Sequence, residues 1–316
     1  MKKFMLVLSL TVAIGTVITL NSCKKTDTST VDESVSAQDN AALSNGINAT
    51  SDDAASAAGQ VKSFSGKTDG WWNTAVLCGV SVVDSGTAGN RTVTITYDGT
   101  TSCNGITRSG TVTVVNSSGI PWNTAGSVLN ITFNNLAITD VVSGYTYTVN
   151  GTHTLTKETS GLEWQVIAET VTNTTVIRHN TGNMTITFPN GTTRSWTVNR
   201  TRSWSSVVTG NKNVITVRVY SEAAGNVDVT GTNRYGNTFT NVIADTIAAN
   251  NYSAGCYWKP YEGKTIHSVN NRTVTVLYGT NASGNQTNNA TQCAAGYFIT
   301  YTKANGNTAT RFVSYW

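Results

Sequence analysis

Three glutamates, Glu158, Glu163 and Glu169, form a local acidic cluster around Trp164. Two carboxylates beside an aromatic ring are the groups with which a glycoside hydrolase protonates and displaces a sugar. On strands, however, this spacing fixes no two of the carboxylates on one face at a set distance. We therefore treat the three glutamates as catalytic candidates whose more ordinary role is the solvated surface of a hairpin.

Aromatic residues indicate a second kind of chemistry. The chain has 8 Trp and 12 Tyr, and such rings stack on sugars while neighbouring amides and guanidinium groups bind hydroxyls. Trp71 and Trp72 point to opposite faces if they lie on a strand, so one of them would be exposed. Together with Trp164 and Trp258 they are the predicted binding residues, and the alternative is that these rings fill the core of the sheet.

Metal, cofactor and nucleic-acid binding are not indicated. His153, His179 and His267 are isolated from one another in the sequence, and no metal-ligand spacing, serine nucleophile elbow or phosphate loop is present. The net charge of +4 is not gathered into a basic stripe of the kind that nucleic acid requires. The sequence therefore predicts no metal, no cofactor and no nucleic-acid partner, and favours a non-enzymatic protein.

The amino terminus predicts where the protein is located in the cell. Lys2 and Lys3 precede an apolar stretch, Phe4–Leu20, which is too short and interrupted for a membrane span and fits an export signal. The run that ends it, Leu20-Asn21-Ser22-Cys23, resembles a bacterial lipobox, which implies a signal peptide over 1–22 and acylation of Cys23. Several acyl chains hold a protein stably on a membrane. We expect a lipid-anchored protein of the cell envelope, on the outer membrane, and the sequence leaves its periplasmic or surface face open.

Four further cysteines remain, which in an oxidising compartment indicates disulfides. A repeat suggests their pairing: Asn90–Tyr97 and Asn271–Tyr278 both read Asn-Arg-Thr-Val-Thr, then Ile or Val, any residue, and Tyr. Each copy lies between two cysteines, and each second cysteine precedes another strand-like run. The units at 78–115 and 256–302 therefore predict Cys78–Cys103 and Cys256–Cys293.

Residues 23–60 are rich in Ser, Ala, Asp, Asn and Thr and are predicted to be a polar tether with weak helical periodicity. Residues 24–60 carry two Lys and six acids, whereas residues 61–316 carry 17 Lys or Arg and 11 acids. The excess positive charge of the second region is expected to be a solvated surface.

Residues 61–316 predict an all-β domain. Apolar and polar residues alternate in many short runs, and Asp-Gly or Asn-Gly turns, such as Asn150-Gly151, separate them. We predict antiparallel sheets joined by hairpins, as a sandwich, a barrel or a long twisted meander. In the hairpin over 183–204, Arg194, Arg200 and Arg202 should share one face because their numbers differ by even steps.

Several of these segments resemble a group of uncharacterised Bacteroidota lipoproteins. The similarity includes Thr107–Val114, Thr201–Trp204 and Gly231–Asn237, and it covers most of residues 75–302. The resemblance implies a lipobox, a polar leader and a β-rich body, and it implies no activity, cofactor or catalytic residue.

The leading hypothesis is therefore a non-enzymatic envelope lipoprotein whose β domain binds a glycan, a protein or another envelope component. The first alternative is an envelope polysaccharide hydrolase that uses the glutamate cluster. The second is a structural or assembly component of the envelope. Carboxylates paired in a pocket would favour the hydrolase, and exposed aromatic rings would favour binding.

Overall fold

The computed structural model of the protein describes residues 33–61, 77–87, 90–103, 105–141, 143–250, 259–286, 293–303 and 306–315. Several predictions fall outside these residues. They concern the signal peptide at 1–22, Cys23, Trp71, Trp72, Cys256 and Trp258.

The described chain contains two α-helices, a short 3-10 turn at Ala224–Asn226 and 14 strands. The helices are α1 (Glu33–Gln60) and α2 (Glu163–Ile167). The strands are β1 (Val80–Thr87), β2 (Asn90–Asp98), β3 (Ile106–Asn116), β4 (Val128–Asp140), β5 (Thr146–Lys157), β6 (Thr174–Thr187), β7 (Thr193–Thr209), β8 (Lys212–Tyr220), β9 (Val227–Thr232), β10 (Thr238–Asn250), β11 (Glu262–Val269), β12 (Arg272–Thr280), β13 (Gly296–Thr302) and β14 (Thr308–Ser314).

All 14 strands belong to one antiparallel sheet, which confirms the predicted all-β class with its hairpin connections. Strands follow one another in sequence order, with one exception between β7 and β10. There β8 and β9 lie end to end in the same position: β8 pairs with residues 201–209 of β7, and β9 pairs with Thr197 and Val198. Residues 221–226 form an excursion between the two half-strands.

The sheet is curved around α1. Strands near both ends of the sheet, among them β2 and β13, contact the helix, and 21 of the 28 residues of α1 are buried. The prediction that residues 23–60 form a tether outside the β domain is therefore wrong for residues 33–60. They form a regular helix that lies against the concave face of the sheet.

Small residues allow the helix to fit into this concavity. A Cβ atom at Gly46 would collide with the hydroxyl of Tyr147 and with Ile138 of the sheet. Tyr147 donates a hydrogen bond of 3.2 Å to the carbonyl of Ala42. A glycine inside a helix costs roughly 1 kcal/mol relative to alanine, and here it allows close approach of the sheet.

Charge pairing explains how such a polar helix can be buried. Each of its four acidic residues pairs with an arginine of the sheet, because a buried carboxylate is tolerated only when it is paired. Asp52 is the most heavily used, since its Oδ1 accepts from Arg178 at 2.8 Å and from Arg202 at 2.5 Å. The other pairs are Glu33 with Arg272, Asp39 with Arg234 and Asp53 with Arg108.

The expectation of a solvated cationic surface is consequently wrong for half of the arginines. In the described structure, five of the ten arginines are buried, and their side chains point to the helix rather than to water. They are Arg108, Arg178, Arg194, Arg200 and Arg202. The predicted common face of Arg194, Arg200 and Arg202 is confirmed, because the register of β6 with β7 continues without a shift.

The turn predicted at Asn150-Gly151 is wrong, since both residues lie inside β5. Gly151 has φ +134°, and a Cβ there would collide with the backbone of β6 at Asn183. The register of β4 with β5 shifts between Phe133 and Leu136, beside this glycine. Gly151 therefore marks a bulge, a feature that bends a sheet, rather than a chain reversal.

The structure also locates the cysteines and the strands of the two repeated units. Cys78 and Cys103 form a disulfide, as predicted, with Cα atoms 6.0 Å apart. Cys293 is disulfide-bonded as well, and its pairing with Cys256 stays a prediction. In each unit, the described residues between the two cysteines contain two strands: β1 and β2 precede Cys103, and β11 and β12 precede Cys293.

We predict that Asp52→Asn lowers the free energy of unfolding by about 3–5 kcal/mol, because two buried guanidinium groups lose their shared carboxylate. Urea denaturation measures the change. Asp245→Asn is the matched control: Asp245 pairs with Lys264 where the side chains are 61% and 36% exposed, so its loss should cost about 1 kcal/mol or less. Equal effects of the two substitutions would contradict the proposed role of the buried pair.

Candidate functional site

The three glutamates proposed for catalysis are not brought together as a reactive pair. Glu163 is buried at the start of α2, whereas Glu158 and Glu169 are exposed. The Lys157 ammonium lies 2.7 Å from Glu163, and Arg178 lies 3.5 Å from it. Glu163 is thus an ion-paired structural residue.

The electrostatics of Glu163 agree with this role. Burial alone would raise the pKa of Glu163, but Lys157 and Arg178 together hold it below its usual value. Burial lowers the pKa of Lys157 to about 8, and its ammonium lies 4.1 Å from the centre of the Trp122 ring. A glutamate held ionised in this way is poorly suited to act as a general acid.

The histidines are dispersed among structural contacts. Ser51 of α1 lies 2.8 Å from His153, and Ser36 lies 2.9 Å from His267, so two of the three fasten the helix. His179 contacts Thr201 at 3.1 Å. Within the described part of the chain, no group of three or more His, Cys, Asp or Glu residues is placed to hold a metal ion.

Trp164 is the one predicted binding residue that the structure describes, and it is half-buried and packs against the main core. Trp122, Trp196 and Trp204 are buried. Arg178 and Arg202 lie on the ring of Trp204, each 4.7 Å from its centre. The indoles that are described therefore stabilise the interior and the buried arginines.

An aromatic surface nevertheless exists at one end of the sheet, where the β4–β5, β6–β7 and β9–β10 turns meet. We call it the turn-end patch and define it as Tyr145, Phe188, Arg234 and Tyr235. Tyr145 and Tyr235 are 36% and 48% exposed. The Arg234 guanidinium lies 3.8 Å from the centre of the Phe188 ring and 5.6 Å from that of Tyr145.

The helix holds the turn-end patch in place. Asp39 of α1 accepts two hydrogen bonds from Arg234, one of them 2.8 Å long from Nε. Burial raises the pKa of Asp39 from its ordinary value, and the bonds from Arg234 oppose that rise. A guanidinium fixed by a bidentate carboxylate keeps its plane and position, so the patch is preorganised.

A second candidate is a small space between α1 and the concave face of the sheet, which we call the helix–sheet cavity. Its walls come from α1 and from β7 to β12, and they include Asn48, Arg200, Arg202, Val219 and Ile247. Asp228 also lines it, accepting 2.8 and 2.7 Å bonds from Arg200 and Asn241. Its lining therefore combines apolar side chains with the cationic side chains of two arginines.

Neither candidate was identified from the sequence. The even spacing of Arg200 and Arg202 on one strand was a usable signal for the cavity. The opposite charges of residues 24–60 and 61–316 were a signal that the two regions contact each other. The turn-end patch depends on three turns that are distant in sequence, so no local pattern points to it.

The fold and its interior place the chain in the class of single-sheet all-β proteins that enclose an N-terminal helix. Comparison with protein-family models, with curated proteins and with solved structures gives no match. None of the described helices is long and apolar enough to cross a membrane.

The helix contact of His267 predicts a dependence of stability on pH. Burial, reinforced by Arg194, lowers the pKa of His267 to about 3, whereas the unfolded value is near 6.5. Stability from neutral His267 is therefore complete above about pH 6.5 and is lost as the pH falls below it. From pH 7 to pH 5 this amounts to about 2 kcal/mol.

Urea denaturation of the wild-type protein and of His267→Asn at the two pH values tests this prediction. The variant should be less stable at pH 7, where it lacks the imidazole contacts, and should lose about 2 kcal/mol less than the wild type on acidification. Identical losses in the two proteins would show that His267 does not contribute to the acid sensitivity.

Proposed function

We propose that this chain is a non-enzymatic lipoprotein of the cell envelope, anchored to the outer membrane through acylated Cys23, whose β domain binds a glycan at the turn-end patch. The observation that carries the proposal is the exposure of Tyr145 and Tyr235 around the fixed guanidinium of Arg234. Exposed rings stack on the C–H faces of sugars, and a guanidinium donates to hydroxyl or acidic groups.

The location of the patch favours a glycan of the envelope itself. The amino terminus of α1 lies at the same end of the sheet as the patch, because Glu33 pairs with Arg272 and Asp39 pairs with Arg234. Ten residues lead from Cys23 to Glu33, and an extended segment of that length spans at most about 35 Å. An anchor at Cys23 would therefore keep the patch near the lipid surface.

The alternative of a polysaccharide hydrolase has less support. A retaining or inverting hydrolase needs two carboxyl groups facing one substrate bond. Glu163 is occupied by Lys157 and Arg178, and the two other glutamates lie on the surface. A structural role in the envelope would also use the anchor and the rigid sheet, but it gives no reason for the exposed tyrosines.

We predict that Tyr145→Ala and Tyr235→Ala each weaken glycan binding about tenfold, since each removes one stacking ring. The binding is measured on an array of envelope glycans with the detergent-solubilised mature lipoprotein, which retains α1. Tyr220→Ala is the matched control, because Tyr220 pairs with Thr201, eight residues along β7 from the end of the sheet that carries the patch.

Vesicles of plain phospholipid, mixed with an unacylated form of the protein that begins at residue 24, provide the second arm of this experiment. If the tyrosine variants lose vesicle binding while glycan binding is unchanged, the patch is a lipid contact and the glycan proposal is wrong. Binding of no glycan by the wild-type protein would overturn it as well.

The anchor has a separate test. Mass spectrometry of the protein from membranes should find Cys23 as the first residue, carrying acyl chains, and Cys23→Ala should abolish incorporation of labelled palmitate. An unmodified amino terminus in the wild-type protein would contradict the proposed lipidation and, with it, the expected location.

A further inference from the structure

The sheet is least regular where it borders the helix–sheet cavity. Here the two half-strands β8 and β9 are separated by residues 221–226. The neighbouring strand β10 pairs with both half-strands on one side and with β11 on the other. Its register with β11 shifts twice, between Ile243 and Asp245 and between Asp245 and Ala248. Bulges and interrupted strands are frequent beside binding sites, because they turn side chains away from the regular pleat.

One wall of the cavity is apolar. Val217 and Val219 of β8 lie opposite Ala249 and Ile247 of β10 in the pairing register, and all four side chains line the cavity. Such a wall accepts a short hydrocarbon group and offers it no hydrogen bonds.

The other wall is polar and cationic. Asn45 and Asn48 of α1 line it together with Arg200 and Arg202 of β7. The two arginine side chains are each only 2% exposed, and the Nε–H group of each has no acceptor within the described residues. Buried donors without an acceptor are costly, and an anionic group that reached these donors would remove that cost.

The charges around this wall do not balance. Arg178 and Arg202 share a single oxygen of Asp52, Arg200 pairs with Asp228, and Lys157 and Arg178 both contact Glu163. In this ion-pair network, of which Arg200, Arg202 and Asp228 line the cavity, four cations therefore contact three carboxylates. A ligand with one negative charge would complete the balance, whereas a dianion would exceed it.

We propose that the helix–sheet cavity is a binding site for a small aliphatic monocarboxylate. Its carboxylate accepts from the guanidinium groups of Arg200 and Arg202, and its alkyl group lies against Val217, Val219 and Ile247. The cavity has a volume of about 50 Å³, so only the smallest aliphatic monocarboxylates, of the size of acetate or propionate, are candidate ligands. The site is independent of the turn-end patch.

Isothermal titration calorimetry of the full-length protein with sodium propionate tests the proposal, with propionamide and phosphate as probes at the same ionic strength. Propionate should bind at one site and raise the melting temperature with increasing concentration. Propionamide has the same shape without the charge and should bind at least tenfold more weakly, and phosphate should compete weakly. No propionate binding, or equal binding of propionate and propionamide, would overturn the proposal.

Two variants locate the site without disturbing its ion pairs. Val219→Phe fills the apolar side of the cavity and should reduce propionate affinity at least tenfold while the circular dichroism spectrum is unchanged. Val208→Phe, at an exposed position of β7 away from the cavity, should bind propionate as the wild type does. Propionate binding that survives Val219→Phe, or that is lost equally in both variants, would show that the ligand does not occupy this cavity.

Discussion

The burial of a polar helix by a sheet that supplies the opposite charges is the interaction on which the rest of this structure depends. A helix such as α1, with polar residues all round, has little reason to leave water by the hydrophobic effect alone. Its carboxylates are desolvated, which raises the pKa of Asp53 to about 6 even beside Arg108. The arginines recover much of that cost through ion pairs and hydrogen bonds. Leu43 and Ile47 of α1 join the main hydrophobic core, and the specific polar contacts add to this packing in setting the position and register of the helix.

The same pairing links the scaffold to both candidate sites. Asp39 holds the guanidinium of the turn-end patch, and Asp52 holds one of the arginines that line the helix–sheet cavity. Neither site exists in the sheet alone, because each takes an essential contact from α1. A fragment that begins at residue 61 lacks α1, so neither site would be present in it as it is in the intact domain.

Much of the sheet could be predicted from the sequence, because alternation of side chains is a local property. The shared face of Arg194, Arg200 and Arg202 and the Cys78–Cys103 disulfide followed from spacing and repetition. The role of α1 did not, since Gly46 and the many Ser, Asn and Asp residues weaken the local helix signal. Gly46 becomes favourable only because Tyr147 and Ile138 pack against it. The turn assigned to Asn150-Gly151 failed for a related reason: a glycine with positive φ serves a bulge as well as a reversal.

The tryptophans show the limit of composition as a guide to function. Their number suggested exposed rings, yet Trp122 and Trp204 are buried against Lys157 and the arginines of the interior. Once cations are buried, large flat π-systems become useful neighbours for them. Among the residues that the structure describes, the exposed rings are instead two tyrosines on turns, Tyr145 and Tyr235, whose hydroxyl groups can hydrogen-bond to water.

The sequence separation of the helix contacts bears on how the chain assembles. Ser36 meets His267 across 231 residues, and Glu33 meets Arg272 across 239. During synthesis the amino-terminal segment emerges long before β11 and β12, so α1 cannot be enclosed by the sheet until those strands are made. Contacts of such range slow folding, because a long loop must close before they form. A segment rich in Ser, Asn and Asp is well suited to that interval, since it stays hydrated and offers little for aggregation while the last strands arrive.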